Sequence, residues 1–210
     1  MTQPTPDPIQ SIDALRAVYG DPSERALKKE MRRLDHHCRA FIAVSPFVVL
    51  ATSGADGRQD CSPRGDAPGF VQVVDEQTLL VPDRRGNNRV DSLANVLENP
   101  HVGMLFMVPG MNETLRVNGR GRIVRAQAVL APLAVRGRVP RSALRVEVEE
   151  VFLQCAKALV RSRLWDADAR IDRSAFPTMG RMLADQIDGV DAERFDREAA
   201  ALIRSEDGLC

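Results

Sequence analysis

The residues best suited to chemistry lie in one run, Pro82-Asp83-Arg84-Arg85-Gly86-Asn87-Asn88-Arg89. It joins the end of an apolar strand pattern to the start of a helical one. Backbone N–H groups at a helix start are unpaired and partly positive, so they attract anions. Gly86 lets the backbone come close to a ligand. Arg84, Arg85 and Arg89 offer planar forks that match phosphate oxygens. The chemistry is phosphate binding. A solvated polar loop capped by Asn88 is the competing reading, and these residues alone leave both open.

Two further runs have suitable side chains. Asp60-Cys61-Ser62-Pro63-Arg64-Gly65-Asp66 leaves a strand towards a Pro/Gly-rich turn. Ser62, Arg64 and the turn amides could contact an anion or a flat heterocycle; a plain hairpin exit is the alternative. The run from Cys155 to Trp165 holds Lys157, one of three lysines, and the only tryptophan. A lone Trp beside cations suits stacking on a cofactor, and suits a core or dimer anchor equally. His36-His37-Cys38 resembles a metal cluster, but adjacent helical residues point in different directions and cannot converge on one ion. No metal site is expected, and no side chain is assigned a catalytic role.

Composition narrows the function classes. The chain has 210 residues, and 29 basic groups balance 29 acidic ones. No global field therefore draws it to nucleic acid or to an anionic membrane. Only Lys28, Lys29 and Lys157 among the basic residues are lysine, so an arginine cluster carries meaning only once the fold has placed it. The Arg116 to Arg122 strand face has no aromatic residue to stack a base. No apolar run reaches the roughly 18 residues that span a membrane. Four scattered cysteines without a CxxC pair, and a polar Pro-rich start from Met1 to Pro8, point to reduced thiols and the cytoplasm.

The elements that must position these groups follow from periodicity. Met1 to Pro8 is expected to be a flexible tail, and Ser11 to Val18 a short helix. Asp21, Pro22 and Glu24 form a helix start. Leu27, Met31, Leu34, Cys38 and Phe41 then predict one helix of about five turns. Phe47 to Thr52 reads as a buried strand, returning through Gln59 to Arg64 as a hairpin around Gly54-Ala55-Asp56-Gly57. Phe70 to Val74 and Thr78 to Val81 are short strands. Asn87-Asn88 opens a helix with Val90, Leu93 and Leu97 on one face, stopped by Pro100. Val102 to Val108 is a strand. Leu115 to Val124 alternates strictly, with Leu115, Val117, Gly119, Gly121 and Ile123 facing one way. Ala126 to Val135 is a short helix and loop, and Leu144 to Leu153 a strand. Met179, Met182, Leu183 and Ile187 share a helix face, and Asp191 caps a last helix. Hairpin-linked strands without regular βα alternation argue an antiparallel sheet, most simply a barrel with flanking helices.

Taken together, these segments resemble the pyridoxamine 5′-phosphate oxidase-like, FMN-binding split-barrel superfamily. The resemblance rests on the order and spacing of Ser45 to Ser53, Asp60 to Asp66, Leu79 to Arg89, Leu93 to Gly103 and Leu115 to Gly119. Val148 to Trp165 is similar to a C-terminal signature of a family subgroup, with Gln154 where that subgroup has His. The resemblance implies a mainly β, antiparallel Greek-key split β-barrel over residues 45–165. Helical extensions would occupy residues 1–44 and 166–210. It implies FMN at a homodimer interface and a small-molecule substrate. Ser62, Pro63, Arg64 and Gly65 would line the flavin or its ribityl chain. Pro82, Asp83, Arg84, Asn87, Asn88 and Arg89 would form the phosphate loop, and Lys157 and Trp165 would close the site. The true vitamin B6 oxidase ends in an Arg- and Pro-rich tail that has no match here, so oxidation of pyridoxamine phosphate is not expected. The reading is an FMN-dependent oxidoreductase. The alternative is a non-catalytic flavin, deazaflavin or haem carrier, for which His101 is the strand-borne histidine.

Overall fold

A computed structural model describes residues 8–205; apart from Pro8, the expected N-terminal tail lies outside them. Helix α1 (Ile12–Tyr19) starts at Ser11, whose Oγ accepts from the Ala14 amide at 3.1 Å. Helix α2 (Glu24–Lys28) is capped by Ser23, not by Asp21.

The expected five-turn helix is instead two helices with an extended break. Helix α3 (His36–Val44) begins afresh at Asp35, whose Oδ1 accepts from the Cys38 amide at 2.8 Å. Between them, Met31 exchanges backbone hydrogen bonds of 3.0 and 2.8 Å with Val151. Pairing with a strand and a second cap outcompete helix continuation there. Met31, Leu34, Cys38 and Phe41 still reach the core, but Leu27 is left exposed.

Seven strands follow: β1 (Phe47–Ser53), β2 (Gln59–Gly65), β3 (Gln72–Val73), β4 (Thr78–Pro82), β5 (His101–Met107), β6 (Thr114–Val124) and β7 (Ala143–Gln154). They form one sheet in the order β2-β1-β5-β6-β7-β4-β3, with every neighbouring pair antiparallel. The sheet does not close, because its edges belong to β2 and β3. It is a mainly β split barrel with flanking helices: hairpin-linked strands predicted the antiparallel sheet, and the family resemblance implied the split barrel. Strict alternation puts Val48, Leu50, Met104, Phe106, Leu115 and Val117 into one core. The expected strand from Phe70 to Val74 shrinks to β3, since Phe70 and Val71 turn inward to fill that core.

Strand β6 carries a bulge against β7 between Asn118 and Gly119. A Cβ at Gly119 would lie 2.0 Å from the Glu147 carbonyl oxygen, so only glycine permits this crossing.

Helix α4 (Asp91–Glu98) starts three residues later than Asn88. Val90 is in the left-handed region at φ 53°, and Leu97 is 77% exposed. The buried face is Ser92 and Val96, not the predicted Val90, Leu93 and Leu97. Hydrogen bonds hold it to β1: Asn95 Nδ2 donates to Thr52 Oγ1 at 3.0 Å, and Asn99 Nδ2 to Ser53 Oγ at 2.8 Å. A helix face anchored by amides and hydroxyls leaves no apolar period to read.

After β6 come α5 (Gln127–Leu130) and a short 3₁₀ turn (Ala131–Leu133), which cover Leu80 and Ala143. Helix α6 (Lys157–Ser162) follows β7, and α7 (Met179–Gln186) packs against α8 (Ala192–Ser205). Gly180 allows their close approach, its amide donating to Asp196 Oδ1 at 2.9 Å. Among the described residues, no helix is long and apolar enough to cross a membrane.

Candidate functional site

Strands β2 and β4 end beside each other across the split. Asp66 follows β2 and Arg84 follows β4. Arg84 Nε donates to Asp66 Oδ2 at 2.7 Å, with both side chains under one-fifth exposed (17% and 18%). Its Nη1 donates to the Leu133 carbonyl at 2.8 Å. The guanidinium predicted to meet a phosphate thus already has two protein partners, and it clasps the mouth of the barrel.

Next to this clasp, Asp60, Ser62 and Arg64 alternate onto one side of β2, where α4 packs. Arg64 Nη1 donates to Ser62 Oγ at 3.0 Å and to the Pro63 carbonyl at 2.9 Å. Its Nη2 donates to Ser92 Oγ at 3.0 Å. The Ser92 hydroxyl, 2% exposed, lies 2.9 Å from Ser62 Oγ and donates to Asp60 Oδ2 at 2.5 Å. Three acceptors from a strand and a helix therefore fix one guanidinium, and Asp60 in turn holds the Ser92 hydroxyl. Asp60 and Ser92 were not among the predicted site residues. The alternation of β2 could have suggested Asp60. Nothing in the sequence could have brought Ser92 to it across 32 positions.

The loop between β4 and α4 completes the corner. Asn88 and Val90 both have positive φ, 60° and 53°. Such a conformation is rare for a β-branched residue and costs about 1–3 kcal/mol. Asn87 Oδ1 accepts from the Arg89 amide at 3.0 Å, and no side chain caps α4. The first amides of that helix therefore lack a capping side chain, and a built Cβ on Gly86 would meet only open space. Arg89 reaches outward and pairs with Asp91 at 2.8 Å, both well exposed. Asp83 is half-buried; burial pushes its carboxyl above the usual carboxylate range, opposed by the charges of Arg64 and Arg141. The Ser62 hydroxyl, a fixed guanidinium fork, uncapped helix amides and an open glycine form a donor set that suits a phosphate.

The opposite face of the sheet is different. Val49, Leu105, Met107, Arg116 and Leu159 line a cavity of about 520 Å³. A smaller one of about 270 Å³, bordered by His101 and Glu149, shares Ala51, Gly103 and Asn118 with it. His101 Nε2 lies 3.2 Å from Arg120 Nη1. Lys157 is exposed at the start of α6, and Trp165 Nε1 donates to the Met111 carbonyl at 2.7 Å. Within one chain, the structure gathers Ser62 and Arg64 with the 82–89 loop. Lys157 and Trp165 belong to the segment that covers the other face. Among the described residues, no group of three or more His, Cys, Asp or Glu side chains is placed to hold a metal ion.

A sequence profile for pyridoxamine 5′-phosphate oxidase matches residues 34–155, more than half of the chain. No curated protein sequence matches. Among solved structures, HupZ from Group A Streptococcus is 17% identical. It aligns with 57% of this chain and 92% of its own, at a TM-score of 0.47. A candidate pyridoxamine 5′-phosphate oxidase of Lactobacillus delbrueckii is 22% identical over 58% of this chain and 95% of its own, at 0.45. An FMN-binding protein of Syntrophomonas wolfei is 11% identical over 69% and 97%, also at 0.45. At these scores the structural likenesses carry no weight, and the assignment rests on the profile. By that match, which takes in both the Arg64 cluster and the loop after β4, the chain belongs to the pyridoxamine 5′-phosphate oxidase family.

Proposed function

We propose that this protein is an FMN-dependent oxidoreductase that acts as a homodimer on a small organic substrate, with a nicotinamide or oxygen as the second partner. The observation that carries the reading is the Arg64–Ser62–Ser92 cluster beside the uncapped start of α4. Arg64, Ser62 and the α4 amides would hold the phosphate. Pro63 and Gly65 would lie along the ribityl chain, and Arg89 would turn from Asp91 to the phosphate. The flavin would supply two-electron chemistry, while the protein binds, orients and excludes water. The partly apolar outer face with Val49, Leu105 and Met107 would meet a second copy. Lys157 and Trp165 of that copy would close the site. A cytoplasmic location fits the exposed free thiols of Cys61 and Cys155.

An absorption spectrum of freshly purified protein tests the cofactor, and anaerobic reduction by nicotinamides with a substrate panel tests the activity. A flavin spectrum with rapid bleaching supports the enzyme. Bound flavin that no donor reduces makes the protein a carrier. A Soret band would replace FMN by haem, and a colourless protein with no flavin affinity removes the reading.

A further inference from the structure

Strand β5 carries a glycine that folding does not require. Gly103 lies inside that strand, and its φ is outside the left-handed region. A Cβ there would lie 3.5 Å from Asn118 Oδ1 and 3.7 Å from the Ala51 Cβ, which is ordinary contact. Alanine would fit, and glycine weakens a strand interior relative to it. A glycine kept in such a place marks the close approach of another group to the backbone. Gly103 is in register with Ala51 on β1 and Asn118 on β6, and all three lie on the outer side of the sheet. Ala51 and Gly103 thus leave a stretch of nearly bare backbone, which is the floor shared by the two cavities.

The bulge between β6 and β7 equips the smaller cavity. Asn118 pairs with Glu150 and Gly119 with Val148, so Glu149 is the extra residue of β7. Val148 and Val151 are both buried, and the bulge lets both glutamates between them turn outward. Bulges re-aim side chains in this way beside binding sites. Glu149 borders the cavity, while Glu150 Oε1 accepts from Asn118 Nδ2 at 2.9 Å and leaves Asn118 Oδ1 as a fixed acceptor. Ser53 and His101 bring donors to the same cavity. Asn99 Nδ2 donates to Ser53 Oγ at 2.8 Å, so the Ser53 hydroxyl keeps its own proton to give. A guanidinium has no acceptor, so His101 Nε2 accepts from Arg120 Nη1 at 3.2 Å and the ring proton sits on Nδ1.

We propose that this slot binds a flat, uncharged ring carrying a carboxamide, the chemistry of a nicotinamide, with the ring against Gly103 and the amide among Ser53, His101, Asn118 and Glu149. A carboxamide donates twice and accepts, which matches a cavity holding both kinds of partner. Glu149 disfavours a carboxylate in its place. The cavity of about 270 Å³ is smaller than the roughly 300–1,000 Å³ of drug-sized sites, so it suits a single ring. It lies towards the Ser53 end of β1, away from Met107, and none of its residues belongs to the Arg64 cluster. Its use as the reductant's site rests on the flavin reading; binding of the ring does not.

The test is ligand-observed NMR titration of nicotinamide into the full chain, with and without saturating FMN. Saturable binding is expected in both states, with nicotinate about tenfold weaker. Gly103→Ala should weaken nicotinamide about tenfold while its thermal midpoint equals or exceeds that of wild type. Glu149→Gln should narrow the gap between nicotinamide and nicotinate. Wild-type affinity in Gly103→Ala overturns the proposal, and so does a lowered midpoint, which would make the glycine structural. Equal binding of nicotinate to the wild type, or no saturable binding of nicotinamide, overturns it as well. Nicotinamide binding by a protein that takes up no FMN leaves the slot standing and removes the flavin reading. FMN uptake without nicotinamide binding removes the slot and keeps the flavin.

Discussion

Arg84 and Asp66 meet across the opening of the barrel, one from the chain after β4 and the other from the chain after β2. No backbone ladder joins these strands, so side chains hold them together. Both groups are largely buried, and Arg84 also serves the Leu133 carbonyl. Removing one partner of such a pair strands the other.

Asp66→Asn is therefore expected to lower stability by about 1–3 kcal/mol. Urea unfolding followed by circular dichroism reads the loss. A midpoint equal to wild type would mean that the clasp is dispensable.

Ser92 acts on the proposed phosphate through Arg64, as a positioning residue. Ser92→Ala removes the hydroxyl that links Arg64 to Asp60. FMN affinity is expected to fall about tenfold, with Ser92→Thr restoring most of it. Loss of affinity in both variants, together with a matching loss of stability, would reduce Ser92 to a structural role.

Arg89 must leave Asp91 before it can reach a phosphate. Arg89→Ala should weaken FMN binding by about 1.5–3 kcal/mol for one charge-assisted contact. Asp91→Asn should leave affinity equal or higher, because it frees the guanidinium. Fluorescence quenching of FMN measures both, and an unchanged constant in Arg89→Ala would move the phosphate elsewhere.

Gly119→Ala would place a methyl group into the Glu147 carbonyl at the β6 bulge. Because that neighbour is backbone, the strands must separate, and a destabilisation of at least about 3 kcal/mol is expected. Thermal unfolding checks it. A near-native midpoint would mean that the bulge can shift.

Cys38 is 1% exposed, and burial pushes its thiol from 9.0 up to about 12, with the Asp35 hydrogen bond adding to the effect. The folded value is the higher one, so its contribution to stability is complete below pH 9. It is lost as pH rises towards 12, by up to about 1.4 kcal/mol per pH unit. Between pH 9 and 11 the wild type should lose stability faster than Cys38→Ala, as read by urea titrations. Ellman's reagent at pH 8 should modify Cys61 and Cys155 in the folded protein and reach Cys38 only after denaturation.

The main strands, their first hairpin and the inward face of β6 were legible in the sequence, because period-two alternation records directly which side chains are buried. The 82–89 loop also stood out as a polar strand-to-helix junction rich in glycine and asparagine, although its residues alone left a phosphate site and a solvated turn equally open. The break between α2 and α3 was hidden: Met31, Leu34, Cys38 and Phe41 keep a helical spacing even though Met31 pairs with a strand. The inner face of α4 was hidden as well, because Ser92, Asn95 and Asn99 are held by hydrogen bonds rather than by apolar burial. Local sequence thus determined the elements and the polarity of their faces. Which arginine clasps the barrel, which one is fixed by Ser92 and which remain exposed was decided only when distant strand ends came together. Ion pairs form between neighbours in space, and the sequence does not record those distances.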